Sequence, residues 1–190
     1  KRRHGVKLIV EVPGVPHLNN VIADPDPTLG ARLKQKVSER LFLFILKNAD
    51  HAKLLYPQQL DAFDELRDKP RSVFHNMVPA RAIPAEPADV RDPYILLLGH
   101  PWYRKGADIV IRAFHQIADD FPELRLKLVG WKLDRDEPKR LAAGHPRIEV
   151  LGAVKHDKAM QLMSRCAVFV MGSRSEAMGR VTLEAMAARR

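Results

Sequence analysis

Two acids eight positions apart, Glu176 and Glu184, flank the stretch Ala177-Met-Gly-Arg-Val-Thr-Leu183 near the end of the 190-residue chain. The residues between them read as a helix start, and in an ideal helix an eight-residue offset gives ~12 Å of rise and ~80° of rotation. Both carboxylates can then face one cleft. The span suits a ligand with hydroxyl groups at its ends and phosphates in the middle, as in a nucleotide-sugar. Met178, Gly179 and Arg180 would present backbone N–H groups at the helix N-terminus, where peptide dipoles and unsatisfied donors favour phosphate. The plainer alternative is a solvated helix acid at Glu184 and an N-terminal helix acid at Glu176.

A second cluster lies in Gly99-His-Pro-Trp-Tyr-Arg-Lys-Gly106. Arg104 and Lys105 can neutralise a diphosphate, the guanidinium by bidentate bonding to phosphate oxygens. The GxxxxGK[ST] order of a P-loop is absent, and so is the G-x-G-x-x-G dinucleotide fingerprint. Standing alone, this stretch reads sooner as a solvated basic loop.

Both clusters need a scaffold that brings them together, and the pattern from residue 94 onward supplies one. Strands are expected at Tyr94–Leu98, Arg125–Val129, Ile148–Leu151 and Ala167–Met171. Helices alternate with them at Gly106–Phe121, Asp134–Ala143, Lys158–Ser164 and from Arg180. Tyr94-Ile-Leu-Leu-Leu98 lacks polar alternation, as in a strand buried on both faces. Four strands alternating with helices make an open parallel sheet, whose ligands bind beyond the strands' carboxyl ends. The loops 99–106, 130–133, 152–156 and 172–179 therefore carry the site.

Upstream, Val6–Val12 reads as a buried strand that ends at Pro13-Gly14, followed by a Pro- and Asn-containing loop over His17–Pro27. Over Leu29–Asn48 the positions Leu33, Val37, Leu41, Phe44 and Ile45 recur at helical spacing. Arg32, Lys34, Lys36 and Arg40 share that helix; a core-packed helix with a solvated basic face is the preferred reading, a helix resting on an anionic bilayer the other. Short strands are expected at Ala49–Tyr56 and Ser72–His75, with a helix over Pro57–Leu66. Pro79, Pro84, Pro87 and Pro93 interrupt the next stretch, which reads as a semi-rigid linker.

The net charge of +9 points to acidic partners, but only 6% of residues are aromatic and no DNA- or RNA-binding signature accompanies the cations, so nucleic acid is not expected. The longest apolar run, Leu41–Leu46, is far short of the ~20 residues that cross a bilayer. Cys166 is the sole cysteine and sits in an apolar stretch, as expected of a buried thiol in a reducing compartment. The chain opens on Lys1-Arg-Arg-His4 without a leader and ends on Arg190 within a helical pattern, so a cytoplasmic fragment is expected.

The set Gly99 through Lys105-Gly106, Ala113-Phe114, Val129-Gly130, Val150-Leu-Gly152, Ser173-x-x-Glu176-Ala-x-Gly179 and Glu184-Ala-Met-Ala187 resembles, in order and spacing, the carboxyl-terminal domain of glycosyltransferase family 4. The resemblance implies an α/β fold of the GT-B architecture, two Rossmann-like domains with parallel sheets, both incomplete in this chain. Residues 1–78 would be the C-terminal part of the acceptor-side domain, 79–93 the linker, and 94–190 the nucleotide-sugar-binding domain. It implies a retaining glycosyltransferase of polysaccharide or glycolipid synthesis, with Glu176 beside the donor sugar and Lys105 on the diphosphate as catalytic groups. Glu184 would bind the ribose hydroxyls, with the amides of Met178 and Gly179 helping on phosphate and the nucleobase near the backbone after Gly152.

No metal or cofactor is implied; the donor would be a UDP- or GDP-linked sugar and the acceptor a sugar or lipid-linked sugar. The family usually carries arginine straight after Gly99, where this chain has His100, and Arg104 is the available substitute. It also often carries a histidine after the first strand, for which His17 is the acceptor-side stand-in. His75 and His145 read as structural. Peripheral contact with an anionic membrane is a further expectation, and the isolated 190 residues are expected to be inactive. Two other classes stay open: a non-catalytic nucleotide-sugar-binding module, and a basic protein that binds membrane surfaces or nucleic acid.

Overall fold

A computed structural model describes residues 7–12, 28–79, 92–130, 137–176 and 178–190. The histidine at 17, most of the 79–93 linker and the tip of loop 130–133 lie outside the described residues. The chain divides into two compact units, Lys1–Asn76 with Glu176–Met178, and Met77–Ser175 with Gly179–Arg190.

The first unit is a three-stranded parallel sheet of β1 (Ile9–Val12), β2 (His51–Leu54) and β3 (Arg71–Val73) in that order, with α1 (Leu29–Asn48) crossing between the first two strands. Helix α1 is opened by Thr28, whose hydroxyl accepts from the Ala31 amide, the side-chain cap that satisfies a first-turn donor. At the other end Lys69 donates to the carbonyls of Lys47 and Ala49. Val10, Val12, Ala52 and Leu54 point to one side and pack with Leu46, Phe63 and Leu66. The alternate residues do not: Ile9 is 66% exposed, and Lys53 pairs with Glu11 on that side. The first strand, expected to be buried, is buried on one face only.

A larger correction concerns α1. Leu33, Val37, Leu41 and Phe44, four of the five positions whose spacing marked the helix, face solvent. The core face is formed by Leu46, with Phe42 and Ile45 partly buried beside it. Pro57–Leu66 is not one helix either but two 3₁₀ segments, Pro57–Ala62 and Asp64–Leu66. Within the first of them Gln59 is buried, accepting from the Leu55 amide and donating to the Val12 carbonyl. Those bonds serve strand ends that a regular helix would leave unpaired.

The second unit is a four-stranded parallel sheet in the order β6-β5-β4-β7, from β4 (Tyr94–Leu98), β5 (Arg125–Val129), β6 (Ile148–Leu151) and β7 (Val168–Phe169). Strands β4, β5 and β6 lie where the sequence pattern puts them, while β7 is two residues rather than five. The helices are α2 (Trp102–Lys105), α3 (Ala107–Ile117), α4 (Glu137–Ala142), α5 (His156–Arg165) and α6 (Arg180–Ala187). Tyr94, Leu96 and Leu98 pack with Met160, Met163, Cys166 and Ala185 on one face. Leu97 packs with Val110, Ile111 and Phe114 on the other. The lack of alternation in β4 thus has its expected cause, helices on both sides.

Burial raises the pKa of the Cys166 thiol to about 11 and that of the Tyr94 phenol to about 12, the latter donating to the Leu162 carbonyl at 2.7 Å. His145 is structural, edge-on to Phe114 and accepting from the Arg147 amide. His75 likewise bonds the Leu55 carbonyl. Helix α6 does not run to the end of the chain: Arg189 takes φ 59°, and the Arg190 amide donates back to the Ala185 carbonyl.

Candidate functional site

Strand β4 lies between β5 and β7, so the chain builds outward in one direction and then returns to the opposite side. That reversal is the switch point at which loops from neighbouring strands part and leave a crevice. A pocket of about 650 Å³ opens there, built wholly from the second unit. Its walls come from the ends of β4 and β5 (Gly99, His100, Gly130), the turn after β6 (Ala153, Val154) and the facing helices (His156, Arg180, Glu184).

Glu184 is the buried acid of this pocket, only 6% exposed. It stands on the first turns of α6, whose Val181 and Ala185 pack into the sheet and so turn the carboxylate toward the crevice. Its Oε1 accepts from His156 Nε2 at 3.2 Å and faces the Arg180 guanidinium at 3.5 Å. A buried carboxylate needs such partners, because desolvation otherwise penalises its charge. Neither partner is deep: the side chains of His156 and Arg180 are 48% and 57% exposed. His156 was not singled out in the sequence, where a histidine opening a helix looks like any surface residue. The only available signal was its place in the 152–156 turn at the sheet's carboxyl edge.

The 99–106 segment is more built than a loop. Four of its residues form α2, and Lys105 is buried at 8% exposure, so the reading of a solvated basic loop fails for that residue. Gly99 has φ +139°, and a Cβ on it would fall 2.8 Å from Lys105 Cε. Gly106 has φ +68°, and a Cβ there would stand 1.9 Å from the Gly172 carbonyl oxygen. Only glycine fits that conformation and that approach, and the approach brings the β4 and β7 loops backbone to backbone. Arg104 donates weakly to the His100 carbonyl, and its buried Nε has no hydrogen-bond partner among the described residues. Arg104 and Lys105 lie outside the pocket's described lining.

Arg174 fastens these two loops, a role absent from the sequence reading. Its guanidinium grips both oxygens of Asp108 at 2.7 and 2.8 Å, donates to the Tyr103 carbonyl and stacks 3.9 Å from the Tyr103 ring. Its backbone amide donates to the Arg104 carbonyl. The guanidinium, foremost through its hydrogen bonds, holds the Asp108 carboxyl below the usual carboxylate range.

Gly99, His100 and Glu184 line the pocket, and Gly152 immediately precedes its Ala153 and Val154. Gly179 caps the start of α6. Glu176, exposed, and Met178, half-buried, group with the first unit. Helix α6 begins at Arg180, midway between the two acids, so the ideal-helix offset does not describe their separation.

The family model for glycosyl transferases group 1 matches residues 80–189. A curated relative, the phosphatidylinositol N-acetylglucosaminyltransferase gpi3 subunit of Schizosaccharomyces pombe, is 27% identical over 125 residues, covering 63% of this chain and 27% of the relative. The fold is similar to that of a sucrose-phosphate synthase from Thermosynechococcus elongatus, with TM-score 0.75 at 18% identity over 98% of this chain and 49% of that one. It is also similar to WaaG, a glycosyltransferase involved in lipopolysaccharide biosynthesis, with TM-score 0.71 at 16% identity over 95% of this chain and 54% of the other. The chain thus spans about half the length of these two solved structures and about a quarter of the curated relative. The architecture is GT-B, with parallel sheets in both units.

Proposed function

Because the chain belongs to the group 1 glycosyl transferases, we propose that it moves a sugar from a UDP- or GDP-linked donor to a hydroxyl acceptor with retention of anomeric configuration. The observation that carries this reading is the buried Glu184 at the switch-point pocket. An ionised carboxylate only accepts hydrogen bonds and offers about four lone-pair sites, which suits the paired hydroxyls of a ribose. The base lies along Ala153 and Val154, against the backbone after Gly152.

The diphosphate takes its positive surroundings from Lys105 and Arg104, from His100 where the family more often has arginine, and from the amides of Met178 and Gly179. Glu176 holds the donor sugar's hydroxyls. The bond from the anomeric carbon to the phosphate oxygen breaks, and its electron pair leaves with the diphosphate. The acceptor oxygen bonds to that carbon on the same face and its proton passes to the departing phosphate. Cations and backbone dipoles fixed where charge develops lower this barrier. No metal is required by this scheme.

On the same reading the acceptor is a sugar or a lipid-linked sugar, as in polysaccharide or glycolipid synthesis. The protein works on the cytoplasmic side, attached peripherally to an anionic membrane. The name of the S. pombe relative, which includes phosphatidylinositol, supports a lipid acceptor. The test is a donor screen with the longest natural form of the polypeptide, reading the anomeric proton of the product by NMR. Transfer with the donor's own anomeric configuration is expected. An inverted anomer contradicts retention, and donor binding without any transfer favours a binding module.

A further inference from the structure

We propose that the solvent face of α1 is the surface that seats this protein on an anionic lipid bilayer. The inference deepens the membrane attachment proposed above and rests on it. Leu29, Leu33, Val37, Leu41 and Phe44 are 84%, 64%, 59%, 57% and 63% exposed. At ~100° per residue they fall within an arc of about 120°, roughly opposite the core-facing Phe42 and Leu46. Leucine, valine and phenylalanine gathered on one arc of a 20-residue helix make a continuous apolar stripe ~22 Å long rather than scattered exposure.

The charges around the stripe select its occupant. Lys36, Arg40 and Lys47 run along one edge and Lys34 along the other, all exposed. The helix's single acid, Glu39, sits away from the stripe and accepts from Gln35 at 3.0 Å. A stripe edged by cations on both sides disfavours a second copy of itself, since the two faces would set like charges together. It matches an anionic bilayer, with apolar side chains at the acyl boundary and lysine and arginine at the headgroups. No described helix is long and apolar enough to cross a membrane, so α1 lies in the interface plane.

The test uses the 190-residue chain and vesicles of phosphatidylcholine with or without phosphatidylglycerol. Wild type is expected to float with the anionic vesicles and not with the neutral ones. Leu41→Ser and Phe44→Ser together should weaken partitioning by a hundredfold or so, from roughly tenfold per large side chain withdrawn from the interface. Lys36→Glu with Arg40→Glu should abolish the preference for anionic lipid. These side chains are exposed, so circular dichroism of the variants is expected to match wild type.

A second readout locates the contact directly. Cys166 is fully buried, so an environment-sensitive fluorophore can be placed on Val37→Cys alone, with Asp119→Cys as a control far along the chain. The Val37→Cys probe should shift to the blue on anionic vesicles and the control should not. If wild type ignores anionic vesicles, membrane attachment and the assignment to α1 both fall. If it binds but the serine variants bind equally, or the Val37→Cys probe stays in water, the α1 assignment alone falls. An acidic protein or another segment of the polypeptide would then cover the stripe.

Discussion

Helices α6 and α1 break the ordinary rule of burial in opposite directions. The first buries a carboxylate, Glu184, and the second exposes six large apolar side chains, five of them on one stripe. The buried acid is answered within its own unit, by His156 and Arg180 on the same oxygen. The apolar stripe has no such neighbour among the described residues, and its edges carry cations. A buried charge with local partners lines the pocket in which we propose that a small polar ligand sits. An exposed stripe edged with cations marks a face made for something outside the molecule.

If that contrast is right, the largest losses come where the second unit is locked together. Gly106→Ala forces a Cβ onto the Gly172 carbonyl in a left-handed backbone, and a cost of about 3–5 kcal/mol is expected in guanidinium unfolding, with donor affinity lost as well. Arg174→Ala leaves Asp108 without its bidentate partner and should cost about 3 kcal/mol. Because Asp108 is held below its ordinary range, its contribution is complete above the unfolded carboxylate pKa and drains as pH falls through the lowered value. The variant should therefore show a shallower acid limb than wild type, the remainder coming from Arg112, which also pairs with Asp108. An unchanged acid limb would mean the pair does not act as described.

Within α1 the comparison sharpens to single residues. Leu46→Ala, at the fully buried position, should cost about 2–5 kcal/mol. Leu41→Ala, about 140° around the helix, should change stability by no more than ~0.5 kcal/mol. Equal costs would show that the stripe is covered in solution. Smallest of all, Cys166 should resist alkylation in the native state at pH 8, since its thiol is buried and its pKa stands at about 11.

The sequence spoke most clearly about the second sheet. Uninterrupted apolar runs such as Tyr94–Leu98 named their strands, and closing glycines placed the loops, because a strand covered on both faces leaves little else possible. Helix α1 was legible as a helix but not in its orientation. Leu33, Val37 and Leu41 recur at helical spacing, and so do Phe42 and Leu46 on the other side. Periodicity finds a helix without saying which of two apolar faces meets the core.

The site was legible where chemistry and local pattern coincide, as at Glu184. It was illegible where the partner is remote. Arg174 and Asp108 lie 66 positions apart, and nothing near either residue announces the other. His156 and Glu184 are separated by 28 positions, with only the shared sheet edge to connect them. Lys105 was recognised as a cation near a phosphate seat, but its burial depends on Gly99 leaving room for the lysine stem.

The central claim is that Glu184 holds a nucleotide-sugar in the switch-point pocket. Calorimetric titration with UDP- and GDP-sugars tests it most directly, wild type beside Glu184→Ala with both folds checked by circular dichroism. Wild type should bind at least one donor. The variant should bind it roughly 10- to 100-fold more weakly, the loss expected for hydrogen bonds to a charged acceptor. No donor binding by wild type, or equal affinity in Glu184→Ala, would contradict the account.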